Sequence, residues 1–483
     1  MPPMSRRTLI VSAAAAPVLG AAALAQPPSK PPNIVFFLAD DLGYADVSCY
    51  GRLDINTPNI DGVAHDGVRF VQGYANSAVC SATRTALITG RYQYRLRVGL
   101  EEPINGRLNV GLPPGVPTLP SLLRARGYQT SLTGKWHLGS LPDFNPLQSG
   151  YDHFFGFRGG TLDYYLHTGT DHKDDLWDGD TPVHQAGYMT DLIGNHAVDA
   201  VNAYAASNAP FFLDVHFNAP HWPWEAAGDE AEAERLRTAS LFDYDGGSQR
   251  TYQRMIQRMD LQVGRVLQAL DGNGFAENTI VVFTSDNGGE RFADTWPFTG
   301  RKTELLEGGL RIPMLLRWPA QVRPGGVAQQ VAISMDWLPT LLAAAGSVPD
   351  PAYPSDGMNL LPGLLQGAAD SPRKLFWRYK ANAQRAARDG DWKILKINEN
   401  TFLFNVKEDP MERANLRERH RDIYDRMVAG WNEWDSAMLP EVRESFTDAF
   451  AAGQLADHIG AKPAGGEPDL GTDWPASKPK GPP

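Results

Sequence analysis

Four short strand-like runs constrain what this chain can fold into more than any other feature. They lie at 33–39 (NIVFFLA), 128–133, 210–217 and 279–284 (TIVVFT). The runs at 33–39, 210–217 and 279–284 are largely apolar and suit strands buried on both faces, the usual condition of a parallel sheet, while 128–133 (YQTSLT) is a more polar strand-like run between a helix stop and a polar cluster. Helical stretches separate them at 57–67, 118–126, 187–206 and 251–270, with Pro58 near one start and Gly127 as a stop. Alternation of this kind predicts an α/β architecture, a large and mostly parallel sheet sandwiched by helices. In such sheets ligands bind beyond the C-terminal strand ends. All four runs end there in polar clusters: Asp40-Asp41, Lys135-Trp136-His137, Asn218-Ala219-Pro220-His221 and Asp286-Asn287-Gly288-Gly289.

The residue types in those clusters point to two chemistries. Asp40, Asp41, Asp286 and Asn287 offer three carboxylates and an amide, an all-oxygen set that suits a hard divalent cation. Taken singly, Asp-Asp and Asp-Asn-Gly-Gly serve equally well as turns. Lys135, His137, His221 and Lys302 could each be a loop residue, but together they would concentrate positive donors for an anion. A further stretch, 79–91 (VCSATRTALITGR), reads as a helix stopped by Gly90. Cys80 falls at its N-terminus, where the dipole favours negative charge, and Arg84 lies one turn on. A small buried Cys beside a surface Arg is the plainer reading of the same residues.

Cys80-x-Ala82-x-Arg84, followed by Thr89-Gly90-Arg91, resembles the signature of the type I sulfatases, in which the Cys is oxidised to formylglycine. Most members carry Pro where this chain has Ala82. The likeness runs from Asn33 to about Pro319 and more weakly beyond, and it implies an alkaline-phosphatase-like fold. By that resemblance Asp40, Asp41, Asp286 and Asn287 fall on the ligands of one Ca²⁺, replaceable by Mg²⁺, with the residue derived from Cys80 completing the set. Arg84 falls on the residue that steadies formylglycine. Lys135, His137, His221 and Lys302 fall on sulfate-binding and proton-transfer positions. Asp286 is implied as the base that activates the nucleophile, His221 as the general acid, and His137 as the base that releases sulfate. A formylglycine-generating enzyme is implied as the maturation partner. Two rival readings are a formylglycine-dependent phosphonate monoester or phosphodiester hydrolase, and an inactive glycan-binding relative.

The segment 154–179 is rich in aromatics and resembles the arylsulfatase-B-like branch, whose members desulfate polysaccharide units. Tyr164, Tyr165, His167 and Trp222 are therefore expected to bind sugar, and the expected substrate is a sulfated glycan. A net charge of -11 argues against a nucleic-acid partner. Residues 1–25 read as an export signal: Arg6-Arg7 precedes an Ala-rich apolar run ending in Ala23-Leu24-Ala25, which suggests twin-arginine transport to the periplasm or beyond. No later stretch is long and apolar enough to span a membrane. If Cys80 is a nucleophile precursor, Cys49, the other of two cysteines, must stay unpaired. The catalytic domain is expected over 27–365, a small antiparallel α+β subdomain over 370–460, and a poorly ordered tail over 461–483, rich in Pro, Gly and Lys.

Overall fold

The computed structural model describes residues 30–105, 109–241 and 246–448. The expected export signal (1–25) and tail (461–483) lie outside them, as does the end of the expected subdomain. The four runs become Asn33–Ala39, Gln129–Lys135, Phe211–His216 and Thr279–Ser285. They are consecutive neighbours in a ten-stranded sheet, in the order 279–285, 33–39, 211–216, 129–135, and all pair in parallel. Their polar ends therefore emerge on one edge. Short strands extend the sheet on both sides. Met314–Arg317 runs antiparallel to both 279–285 and 68–70, so the sheet is mixed.

Each central strand feeds two cores, as its period of two requires. Val35, Phe37 and Ala39 pack with the helices Met189–Tyr204 and Gln249–Gly272. Ile34, Phe36 and Leu38 face the other way, against Leu87, Leu119 and Trp337 of three further helices.

A second sheet of four antiparallel strands, Lys374–Tyr379, Gln384–Asp389, Trp392–Ile397 and Asn400–Asn405, follows. The helix Arg421–Asp435 covers one face of it through Tyr424, Met427, Val428 and Trp431. Its other face docks on the main body, where Leu375, Trp377 and Tyr379 meet Tyr74 and Leu305.

Two stretches depart from simple expectation, 68–74 as one continuous strand and 360–371 as a plain loop. The run 68–74 is not one strand. Val68–Phe70 stays in the large sheet, whereas Gly73–Tyr74 leaves to pair with Ala332–Ile333. The departure occurs where a Cβ on Gly73 would lie 2.9 Å from that of Met314. The join at 360–371 contains a helix, Leu361–Gln366, with Pro362 in its first turn, where a missing N–H costs nothing. Among the described residues no helix is long and apolar enough to cross a membrane.

Candidate active site

The helix Cys80–Thr89 is buried along its whole length. Its polar residues survive there because their hydroxyls bond to backbone. Thr83 Oγ1 donates to Ser77 O (3.1 Å), Thr85 Oγ1 to Ser81 O (2.8 Å) and Thr89 Oγ1 to Thr85 O (2.6 Å). Val79 caps the helix in extended conformation with no side-chain bond, and Gly90 closes it in the left-handed region (φ 64°). Cys80, at the first position, aims its Sγ at Asp41 Oδ1, 3.9 Å away. Both cysteines are free, and Cys49 lies elsewhere, against Asp61.

Around Cys80 the strand ends form one buried cluster. Ligand-type atoms of Asp40, Asp41, Cys80 and His221 all lie within 4.8 Å of one another. Lys135 Nζ reaches Asp40 Oδ2 (2.6 Å), and Lys302 Nζ reaches Asp41 Oδ2 (2.7 Å). Asn287 Nδ2 donates to Asp41 Oδ1 (2.7 Å), and Asp286 Oδ1 accepts from the Asp41 amide (3.3 Å). Arg84 grips Asp286 Oδ2 through Nε (3.0 Å) and Nη2 (2.9 Å). Asp41 holds a left-handed backbone (φ 62°), which Asp tolerates better than most residues.

The electrostatics follow from burial and neighbours. Burial alone would raise the Asp41 carboxyl, but Lys302, His221 and Lys135 hold it at about 2. Burial and the Asp40 charge push Asp286 up to about 6. The Cys80 thiol is pushed well up, chiefly by burial, so an unmodified thiol would be a poor nucleophile here. Burial and the nearby lysines drive His137 and His221 well below the usual histidine range, leaving both neutral.

A cation fits this donor set. Asp40 Oδ1 and Asn287 Oδ1 are buried without a hydrogen-bond partner, and three carboxylates share a site in which they repel one another. Asp40, Asp41, Asp286 and Asn287 would hold a hard divalent ion, which relieves both conditions.

The two histidines differ in tautomer. His221 Nδ1 lies 2.6 Å from Trp222 O, to which it must donate, so Nε2 is bare and accepts from Lys302 Nζ (3.2 Å). His137 Nε2 donates to Ile104 O (3.0 Å), and its Nδ1 is a buried acceptor without a partner. Gly160 makes room for that ring, since a Cβ there would sit 2.6 Å from His137 Cε1.

The residues expected to bind sugar differ in their access to solvent. Tyr164 is fully buried, its hydroxyl donating between Asn218 O (2.9 Å) and His221 O (2.8 Å), so it braces the His221 loop and offers no face to a sugar. His167 is buried against Gly187 O, and the Tyr165 hydroxyl is engaged by Ala226 O and Gly228 N. Trp222 is nearly buried, tilted on His221. Among the described residues, Trp296 is an aromatic that stays open, 65% exposed. The sequence reading passed over Asp214 and His216, which lie behind Arg84. Their signal is a charged residue and a histidine inside an otherwise apolar strand.

The sheet order and the ionisable clusters at its C-terminal edge define an alkaline-phosphatase-like hydrolase. Residues 32–347 match the sulfatase family, and residues 300–431 match the C-terminal region of N-sulphoglucosamine sulphohydrolase. The chain belongs to the sulfatase family and is an enzyme of that class. It is 32% identical over 419 residues to the N-acetylgalactosamine-6-sulfatase of Sus scrofa, covering 80% of this chain and 74% of that one. It is 31% identical over 448 residues to arylsulfatase A of Homo sapiens, covering 80% and 84%. The crystal structure of Ps i-CgsB superposes with a TM-score of 0.78 at 30% identity, covering 89% of this chain and 98% of that one. A second crystal structure of that protein is a complex with k-i-k-neocarrahexaose.

Proposed function

We propose that this sulfatase removes sulfate from a carbohydrate ester outside the cytoplasm, using residue 80 after its oxidation to formylglycine and one bound Ca²⁺. The observation that carries this reading is the position of Cys80 Sγ, at a helix start and 3.9 Å from Asp41 Oδ1, within an oxygen-donor cluster that two buried lysines also enter. Hydrated formylglycine supplies two hydroxyls on one carbon, one to attack sulfur and one to expel sulfate afterwards, while the metal supplies fixed positive charge.

The remaining work falls to the chain. Asp40, Asp41, Asp286 and Asn287 hold the ion. Lys135 and Lys302 trade part of their pairing with Asp40 and Asp41 for the sulfuryl oxygens and neutralise the charge gathered there. Arg84, locked to Asp286, orients residue 80, and the Asp286 carboxylate takes the proton of the attacking hydroxyl. The leaving oxygen takes its proton through the Lys302–His221 pair, because His221 Nε2 accepts from Lys302 and must be charged before it can donate. His137 Nδ1, bare and buried, accepts the proton released when sulfate departs. The carbohydrate assignment is supported by the likeness to an N-acetylgalactosamine-6-sulfatase and to Ps i-CgsB, whose complex holds k-i-k-neocarrahexaose.

Three measurements on purified, exported protein test the reading. Peptide mass spectrometry should find residue 80 as the aldehyde, placed there by a formylglycine-generating enzyme; fully active protein carrying only thiol would refute the nucleophile. Elemental analysis should find one calcium per chain, and stoichiometric zinc would refute the ion. A panel of defined sulfated oligosaccharides should include substrates turned over faster than aryl or steroid sulfates. Faster turnover of a phosphodiester or phosphonate monoester than of any sulfate ester would reassign the chemistry.

A further inference from the structure

The strand Phe211–His216 has the sequence FFLDVH and is buried at every residue. Leu213 and Val215 face one core, and Phe212 faces the other. Asp214 and His216 share the Phe212 face, where apolar side chains would be the unforced choice. A charge placed there is costly unless its partners are in place. Its partners lead to the active site.

Arg84 Nη1 has two acceptors within reach, Lys135 O at 3.1 Å and His216 Nδ1 at 3.3 Å. His216 Nδ1 is itself 3.1 Å from Lys135 O. The imidazole can therefore serve in only one of two ways. With its proton on Nδ1 it would donate to Lys135 O and turn an N–H against the guanidinium. With its proton on Nε2 it presents a lone pair to Arg84, and Arg84 Nη1–H then stands between two acceptors, His216 Nδ1 and Lys135 O, that lie 3.1 Å apart. On the Nε2 side lies the Asp214 carboxylate, with Oδ1 3.6 Å away, outside hydrogen-bond distance, and the buried Nε2 has no hydrogen-bond partner. The other Asp214 oxygen, Oδ2, accepts from the buried Tyr151 hydroxyl. A carboxylate beside one ring nitrogen favours the proton on that nitrogen.

We propose that Asp214 and His216 are positioning residues for the sulfatase reaction: Asp214 sets the Nε2–H tautomer, and His216 Nδ1 then fixes the guanidinium of Arg84 between Asp286 and Lys135 O. The chain runs Tyr151, Asp214, His216, Arg84, Asp286, all buried. The proposal rests on the reading of Arg84 as the residue that orients residue 80.

The amide oxygen of Asn falls near where histidine carries Nδ1, and that of Gln near Nε2. His216→Asn should therefore keep kcat within about 3-fold, whereas His216→Gln, closer in volume, should lose about 10- to 100-fold with KM little changed. A role in packing alone predicts the reverse order. Asp214→Asn should lower kcat by a similar factor. Nitrogen-15 spectra of labelled enzyme read the tautomer without reference to activity: Nε2–H in the native protein, and Nδ1–H in Asp214→Asn. A native Nδ1–H tautomer would overturn the proposal even if a variant failed to fold, and so would a Gln variant as active as the Asn variant. Arg84→Ala with undiminished turnover would remove the underlying reading of Arg84, whatever the tautomer.

Discussion

Two buried clusters of charge hold this molecule together, and they are built on opposite terms. At the seam between the two sheets every carboxylate oxygen of one pair of acids lies against a cation, a hydroxyl or an amide. Glu307 Oε1 meets Lys393 Nζ (2.9 Å), and Oε2 meets Arg311 Nε (2.6 Å) and Tyr74 OH (2.7 Å). Glu412 Oε1 meets Lys393 Nζ (2.8 Å), and its Oε2 accepts the Glu307 amide (2.6 Å). At the strand ends the same residue types leave capacity unused: Asp40 Oδ1, Asn287 Oδ1 and His137 Nδ1 are buried with no hydrogen-bond partner. A saturated buried network fixes one arrangement, whereas an unsaturated one stores binding free energy for something yet to arrive. Burial of charge alone does not mark a functional site. Unspent donors and acceptors do.

The largest expected effects test that division directly. Cys80→Ala should cost turnover about 10³-fold or more, at least 4 kcal/mol of barrier, while the melting temperature stays near that of the native protein. Lys393→Met should do the converse. It strands Glu307 and Glu412 without their shared cation, so stability should fall by about 3–5 kcal/mol in denaturant melts, with kcat per folded molecule unchanged. A Lys393→Met protein that melted normally but turned over slowly would erase the distinction between the clusters.

Loading the unsaturated cluster should come next in size. Calcium at about a hundred times its Kd should add about 2.7 kcal/mol to the unfolding free energy. Asp286→Asn should shrink that gain, and Lys393→Met should keep it. Thermal melts with and without chelator measure both. An identical calcium response in Asp286→Asn and the native chain would move the ion elsewhere.

Much of the strand-end cluster was legible in the sequence because a parallel sheet announces itself twice, by an unbroken apolar run and by the polar residues where the run stops. Asp40, Asp41, Lys135, His221, Asp286 and Asn287 all lie within five residues of a strand end. The seam cluster has no such local mark. Glu307 and Lys393 are 86 residues apart, and Glu307 and Glu412 are 105 apart. They meet only through tertiary docking. Asp214 and His216 were hidden for a different reason: the run 210–217 is read by its average, and two polar residues do not stop it being a strand. Tyr164 failed because composition cannot tell a ring that faces a sugar from one that braces a loop. Its hydroxyl, held by two carbonyls of the His221 loop, decides the matter.

The last expected effect is a pH dependence from within the seam cluster, and it tests how two acids share one cation. Burial, opposed by Lys393 and reinforced by the Glu307 charge, pushes the Glu412 carboxyl up to about 7. Burial would raise Glu307 as well, but Lys393 and then Arg311 hold it below the ordinary range. The two acids therefore act on stability in opposite directions. Glu307 contributes stability that is present above the unfolded carboxyl range and lost as pH falls below it. Glu412 binds its proton more tightly when folded. As pH rises from about 4.5 to about 7 the unfolded chain gives up that proton first, and stability falls across that window before levelling off. Asp46, Glu102 and Glu290 are also pushed up to about 6 to 7, so the native profile alone cannot isolate one group. The difference between the native protein and Glu412→Gln can. Denaturant melts at half-unit steps from pH 4.5 to 8 should show the variant gaining on the native chain as pH rises, with the difference flat above 7. A difference that shrank with pH, or none at all, would mean that Lys393 holds both acids ionised and that the seam is neutralised by a charge outside the pair.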